Sequence, residues 1–219
     1  MEIIYGFQNL DRTNIEVMTE QQALQEDYYH KIFKGDNGLI KKIETYSNQN
    51  LLGIDYYLDT GEDESQLLSE FYQLVGYVHF FDRKTPIGSY FIERERQYNK
   101  SENSDSVYDY HVRVFDAQDR LVCYASTDEN DIPFVDLTKK YLYTDITTIE
   151  TDGNTTVDLF YVEFSYNDGE ILGIDVSTGH LVYMEKYLID DLDDIDELLE
   201  RFGGTINEYN YYLHANWMP

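Results

Sequence analysis

Tyr28-Tyr29-His30-Lys31-Ile32-Phe33-Lys34, then Gly35-Asp36-Asn37-Gly38, then Leu39-Ile40-Lys41-Lys42-Ile43-Glu44-Thr45-Tyr46 is the stretch that decides the fold. Two runs rich in aromatic and β-branched residues flank a cluster containing Asn-Gly. That step supplies the positive φ angles that a tight hairpin turn requires. The stretch therefore reads as an antiparallel hairpin. The same grammar recurs downstream. Tyr108–Phe115 and Leu121–Ser126 flank Asp116-Ala117-Gln118-Asp119-Arg120, and Val157–Tyr166 and Ile171–Val176 flank Asn167-Asp168-Gly169. A further strand, Ile87–Gln97, carries Arg94 and Arg96 on one face and Glu93 and Glu95 on the other. Neither face is apolar at that end, so the end is expected to project into solvent.

Two segments switch to helical period. In the first, Leu67, Leu68, Phe71, Leu74 and Val75 share a face, Glu62, Asp63 and Glu64 open it, and Gly76 can stop it. In the second, Leu192, Ile195, Leu198, Leu199 and Phe202 share a face, Asp190, Asp191, Asp193 and Asp194 open it, and Gly203-Gly204 follow. Acidic residues suit the positive end of the helix dipole, and glycine is the common stop.

These elements share a register. A shift of 131 residues brings Phe33 onto Phe164, Gly38 onto Gly169, Ile43 onto Ile174, Tyr56 onto Tyr187 and Phe71 onto Phe202, among 10 identities in the 47 positions from Tyr28 to Leu74. The expectation is an internal duplication of a unit that runs hairpin, third strand, helix, closing strand. The predicted fold class is α+β: mostly antiparallel sheet built from hairpins, with two amphipathic helices, which are too few to cover both faces of a parallel sheet. Residues 1–100 form the expected N-terminal unit. Residues 101–219 hold a bridging hairpin and the second unit, and the two could also merge into one continuous domain. The polar loop Asn99–Ser106 marks the expected boundary.

Composition bounds the function. The chain has 219 residues, 42% of them hydrophobic, with 22 Tyr and 11 Phe, which suffices for a real core. Forty-three acidic and 16 basic residues give a net charge of −27. Residues 101–219 hold 26 acidic and 6 basic residues, a net −20 of that total. Such a field repels nucleic acid and anionic lipid and speeds encounter with basic proteins. The start, Met1-Glu2-Ile3-Ile4-Tyr5, is not a signal peptide, and no apolar run approaches the roughly 20 residues that span a membrane. The expected location is cytoplasmic.

No motif assigns a reaction. The one cysteine, Cys123, lies in the apolar run Leu121-Val122-Cys123-Tyr124 and reads as a small buried hydrophobe. His30, His79, His111, His180 and His214 lack zinc-site spacing, so no metal and no cofactor are expected. No phosphate-cradling glycine loop, nucleophile elbow or paired-histidine metalloprotease motif is present. Two acidic clusters stand out. Asp193, Asp194, Asp196, Glu197 and Glu200 project from the outer face of the second helix. Asp128, Glu129 and Asp131 form a loop before Ile132-Pro133. Both are read as candidate contacts for a basic protein, with a solvated surface as the plain alternative. The aromatic C-terminus (Tyr209, Tyr211, Tyr212, Trp217) reads as core or as contact surface.

In style the chain resembles the acidic immunity proteins that bacteria encode beside polymorphic toxins: one cysteine, Tyr- and Asn-rich strands, Asp-Asn-Gly hairpins and acidic helices. The resemblance implies a non-enzymatic inhibitor that occludes the active cleft of a cognate, basic toxin. It carries over no residue roles, because no diagnostic motif of one such family is matched. Two other readings share the composition. One is a nucleic-acid mimic that blocks a DNA- or RNA-binding protein; the other is an enzyme whose carboxylate site assembles only in space.

Overall fold

A computed structural model describes residues 1–8, 15–100, 107–143, 148–151, 155–158, 161–177, 184–188 and 210–218. The chain is mostly antiparallel sheet and divides into two compact units. One comprises Met1–His111 with Ala117–Arg120, the other Val112–Asp116 with Leu121–Pro219.

The first unit contains β1 (Glu2–Gln8), β2 (Ile15–Met18), α1 (Glu20–Ala23), β3 (Tyr28–Lys34), β4 (Ile40–Ser47), β5 (Asn50–Leu58), α2 (Glu64–Phe71), β6 (Tyr77–Asp82), β7 (Thr85–Ile87) and β8 (Tyr90–Asn99). Its strands lie in the order β8-β6-β5-β4-β3-β1-β2, and β7 pairs with β8. Every pairing is antiparallel except β5 with β6, where Gly53 lies beside Tyr77 and Leu58 beside Asp82. Parallel neighbours need a crossover, and α2 supplies it.

The expected β3–β4 hairpin forms. Gly38 adopts a left-handed φ of 77°, and the Asn37 side chain accepts the Leu39 N–H at 3.0 Å. Between β4 and β5 a two-residue turn uses Asn48 and Gln49, both left-handed. This is the geometry that matches strand twist, here built without glycine. Asp63 caps α2 by accepting the Gln66 N–H. Leu68 and Phe71 of α2, with Val75 beyond its end, pack on Ile54, Tyr56, Val78, Phe80 and Tyr98. Leu74, expected on that face, is exposed because regular helix stops at Phe71. The opposite face of the sheet has its own core of Ile32, Ile43, Tyr57 and Phe81.

The strand expected to project into solvent does not. Glu93 and Glu95 are buried, and Glu95 Oε1 lies 3.3 Å from His79 Nδ1 and accepts from Gln97. Arg96 forks between Asp82 (2.6 Å) and Glu64 (3.1 Å), and Tyr98 donates to Glu64 at 2.7 Å. Glu95 and Arg96 enter the interior here with an opposite charge or a hydrogen bond beside them.

The division between units falls within β9 (Asp109–Phe115). The second unit adds β10 (Leu121–Thr127), β11 (Pro133–Leu142), β12 (Thr148–Thr151), β13 (Thr155–Asp158), β14 (Tyr161–Asn167), β15 (Glu170–Ser177) and β16 (Met184–Leu188). The order β16-β15-β14-β11-β10 is antiparallel throughout, and among the described residues β12 and β13 form a separate two-stranded sheet. The β14–β15 turn uses Asp168 and Gly169, both left-handed, as Asp-Gly predicts. The core includes Val112, Val114, Val122, Cys123, Phe164, Tyr166 and Ile174.

Strands β3-β4-β5 and β14-β15-β16 are both three-strand meanders whose first hairpin contains a bulge. Their registers differ by one residue from a strict shift of 131: Ile43 pairs with Ile32, whereas Ile174 pairs with Phe164. The same shift places β6 on residues 208–213, but Asn210–Tyr212 form a 3-10 turn. The second expected helix lies outside the described residues. Among those described, no helix is long and apolar enough to cross a membrane.

Candidate partner interface

The acidic loop expected at Asp128–Asp131 joins β10 to β11. The Asp128 carboxylate accepts the N–H groups of Asn130 (2.8 Å) and Ile132 (2.9 Å). The Asp128 N–H donates to the Ile132 carbonyl at 2.9 Å, closing the turn, and Asp131 takes a left-handed φ of 62°. These bonds, that from Ile132 above all, hold the Asp128 carboxyl below the usual carboxylate range. Asp128 is thus committed to its own turn, whereas Glu129 is exposed.

The start of β11, immediately after the loop, was not legible as surface. The β10–β11 register runs Cys123–Lys140, Tyr124–Lys139, Ala125–Thr138 and then jumps to Thr127–Pro133. Four residues of β11, Phe134 to Leu137, therefore face one residue of β10, Ser126. A bulge of that size breaks the alternation of strand faces. Phe134 (50%), Val135 (36%) and Leu137 (58%) stand exposed, next to Ile132 (60%). Asp136, in the middle of the bulge, accepts the Asp168 N–H at 2.8 Å. From Leu121 to Thr138 the chain has Asp128, Glu129, Asp131 and Asp136 and no Lys or Arg. Lys139 is occupied by Glu163 at 2.6 Å, and Lys140 is buried. The segment thus exposes four apolar side chains and carries four carboxylates.

The C-terminal segment is bonded to the acidic loop and to the strands beside it. Trp217 and Ala215 are buried. The Trp217 indole N–H donates to the Asp131 carbonyl at 2.8 Å, and Ala215 N–H donates to the Gly169 carbonyl at 3.1 Å. Tyr166 donates to the Tyr212 carbonyl at 2.7 Å, and Tyr211 to the Trp217 carbonyl at 2.8 Å. Lys140 donates to the carbonyls of Tyr211 and His214, the latter at 2.7 Å, with its ammonium 3.6 Å from the Tyr211 ring centroid. Burial pushes the Lys140 ammonium down to about 8, opposed by the neighbouring Cys123. Its cross-strand partner Cys123 is fully buried, and that burial pushes the thiol up to about 12. Of the two readings of the aromatic C-terminus, core describes Trp217; Tyr209 lies outside the described residues.

Asp193, Asp194, Asp196, Glu197 and Glu200 also lie outside the described residues. The exposure of Ile132, Phe134, Val135 and Leu137 was missed because it depends on the pairing register with β10, which the sequence does not display. The available signal was Pro133, which confines a strand to an edge, a start or a bulge. Among the described residues, no group of three or more His, Cys, Asp or Glu side chains is arranged to hold a metal ion. Compared with protein-family models, curated protein sequences and solved structures, the chain matches none.

Proposed function

We propose that this protein is a cytoplasmic, non-enzymatic inhibitor that binds a basic protein partner, in the manner of the immunity proteins it resembles, and that the Asp128–Leu137 segment is a principal contact. One observation carries the reading: four candidate anchors, Ile132, Phe134, Val135 and Leu137, stand exposed within a stretch that holds four carboxylates and no cation. Exposed apolar side chains cost solvation unless they are covered, and binding energy concentrates in such anchors. The carboxylates around them supply attraction for a cationic cleft and repel other acidic surfaces. Direct binding to nucleic acid or to anionic lipid is disfavoured by the same charge.

The test uses the product of the neighbouring reading frame, or a protein retained by the immobilised chain, as partner. Wild type and Phe134→Asp/Leu137→Asp are compared for affinity, and wild type is added in equimolar amount to an assay of the partner's activity. The reading requires loss of affinity in the variant and loss of partner activity with wild type. A partner held equally by both proteins, or one that stays active when bound, would refute it.

The outer face of the Asp190–Phe202 segment is the second proposed contact. Reversing Asp193, Asp194 and Glu197 to Lys together should weaken binding without unfolding the protein. Unchanged affinity removes that segment from the mechanism. The proposal also takes the two meanders as products of an internal duplication, on the strength of the ten identities. It then expects Phe202→Ala to cost about 3–5 kcal/mol, as for Phe71→Ala; a cost under about 1 kcal/mol would place Phe202 at the surface.

A further inference from the structure

The bulge at the start of β11 has little strand pairing to hold it. The β10 register jumps from Thr127–Pro133 to Ala125–Thr138, and the β14 register begins only at Lys139. Phe134 to Leu137 thus lie outside the registered pairs on either side. The Thr138 hydroxyl reaches the Phe134 carbonyl only at 3.5 Å, the limit of a hydrogen bond. A firmer tie leaves from Asp136, whose Oδ1 accepts the Asp168 N–H at 2.8 Å. Asp168 lies in the β14–β15 turn, and next to it the Gly169 carbonyl accepts the Ala215 N–H at 3.1 Å. Two residues further on, the Trp217 indole returns to the Asp131 carbonyl at 2.8 Å, just before the bulge. The path closes on itself. It runs from Asp131 along the bulge to Asp136, across to Asp168 and Gly169, across to Ala215, along the tail to Trp217, and back to Asp131. Ala215 and Trp217 are buried, whereas Asp136 and Asp168 are exposed. The circuit therefore ties an exposed bulge to the core at both of its ends.

A segment bonded at both ends has fewer conformations to lose on binding than one held at a single end. We propose that Asp136 is a positioning residue of the partner interface: it is the hydrogen-bond acceptor that closes this circuit and holds Phe134, Val135 and Leu137 in place, and not a charge that meets the partner. An amide oxygen can accept the same N–H, so asparagine should replace aspartate at this position. A carboxylate that met a cation of the partner would lose most of its contribution in that exchange.

The assignment rests on the proposed function, but its first test needs only the free full chain. Backbone amide order parameters at Val135 and Leu137 should be about 0.85 in wild type and Asp136→Asn and below about 0.6 in Asp136→Ala. The Asp168 N–H should exchange about tenfold faster in Asp136→Ala alone. Trp217→Phe opens the same circuit at its other end and should lower the same order parameters. With the partner in hand, Asp136→Ala should bind about tenfold more weakly, because only chains with the bulge in place are competent. Asp136→Asn should stay within about threefold of wild type. A bulge that stays rigid in Asp136→Ala, or Asp136→Asn binding as weakly as Asp136→Ala, would overturn the assignment. If Phe134→Asp/Leu137→Asp binds like wild type, the interface itself is lost. If that variant fails to bind while Asp136→Ala binds like wild type, only the role of Asp136 is lost.

Discussion

The indole N–H of Trp217 donates to the backbone carbonyl of Asp131 at 2.8 Å, across 86 residues of sequence. The acidic loop is thereby held by a buried aromatic side chain from the far end of the second unit. Trp217→Phe keeps most of the packing and leaves that carbonyl without its donor, so it should cost about 1–2 kcal/mol. Trp217→Ala should cost about 3–5 kcal/mol. Urea midpoints of the two variants give the comparison, and equal losses would show that the hydrogen bond contributes nothing.

Phe134 and Leu137 are predicted to matter for binding and not for stability. Their side chains are half exposed, so Phe134→Ala and Leu137→Ala should each shift stability by no more than about 0.5 kcal/mol. Phe80→Ala, in the α2 core, should cost about 3–5 kcal/mol. Thermal unfolding of the three variants checks this; a large loss at Phe134 would mean that the bulge is a core element.

Cys123 and Lys140 face one another across β10 and β11, and they should push stability in opposite directions with pH. The thiol ionises near 9 when unfolded and near 12 when folded, so stability is lost as pH rises above about 9. The ammonium titrates near 10.5 unfolded and near 8 folded, so stability from this group is lowest below about 8 and recovers as pH rises toward 10.5. Cys123→Ala should therefore unmask a rise between pH 8 and 10, and Lys140→Met should unmask a fall. Denaturation midpoints at pH 7.5 and 9.5 distinguish them; parallel profiles in wild type and both variants would contradict the shifts. Lys140→Met also strips two tail carbonyls of their donor and should cost about 2–3 kcal/mol at pH 9.5, where wild type carries little desolvation penalty.

Arg96 bridges Asp82 and Glu64 through its planar fork. Arg96→Lys cannot reach both carboxylates with parallel bonds and should cost about 1–2 kcal/mol, and Arg96→Met, which removes the cation from both and leaves Glu64 only the Tyr98 hydroxyl of the partners described, about 2–4 kcal/mol. Double replacement with Asp82→Asn should recover part of the second loss. Additive losses in that cycle would mean that the fork is not a coupled unit.

Local features were readable from residues that act on their own neighbours. Asn37-Gly38 and Asp168-Gly169 turn the chain because of their own φ preferences, and Asp63 caps α2 because Gln66 is three residues away. The features that stayed hidden depend on residues distant in sequence. Glu95 looked solvent-bound until His79 and Gln97 were beside it, and β6 could be placed parallel to β5 only once α2 was known to cross between them. Nothing local to Phe134 marks it as exposed, because its exposure follows from the register jump between Ala125 and Thr127 on the neighbouring strand.

The Lys140 clamp has a consequence for biosynthesis. The ammonium's acceptors are the carbonyls of Tyr211 and His214, about 70 residues later on the chain. During translation β10 and β11 emerge long before those carbonyls exist, and a lysine cannot be sealed in an apolar interior without them. The first unit, whose last residues are Ala117–Arg120, has no such wait. Synthesis therefore imposes an order in which one half of the nascent chain can reach its final form on the ribosome. The other half stays open around Lys140, and hence around Cys123 beside it, until Tyr211 and His214 have left the exit tunnel.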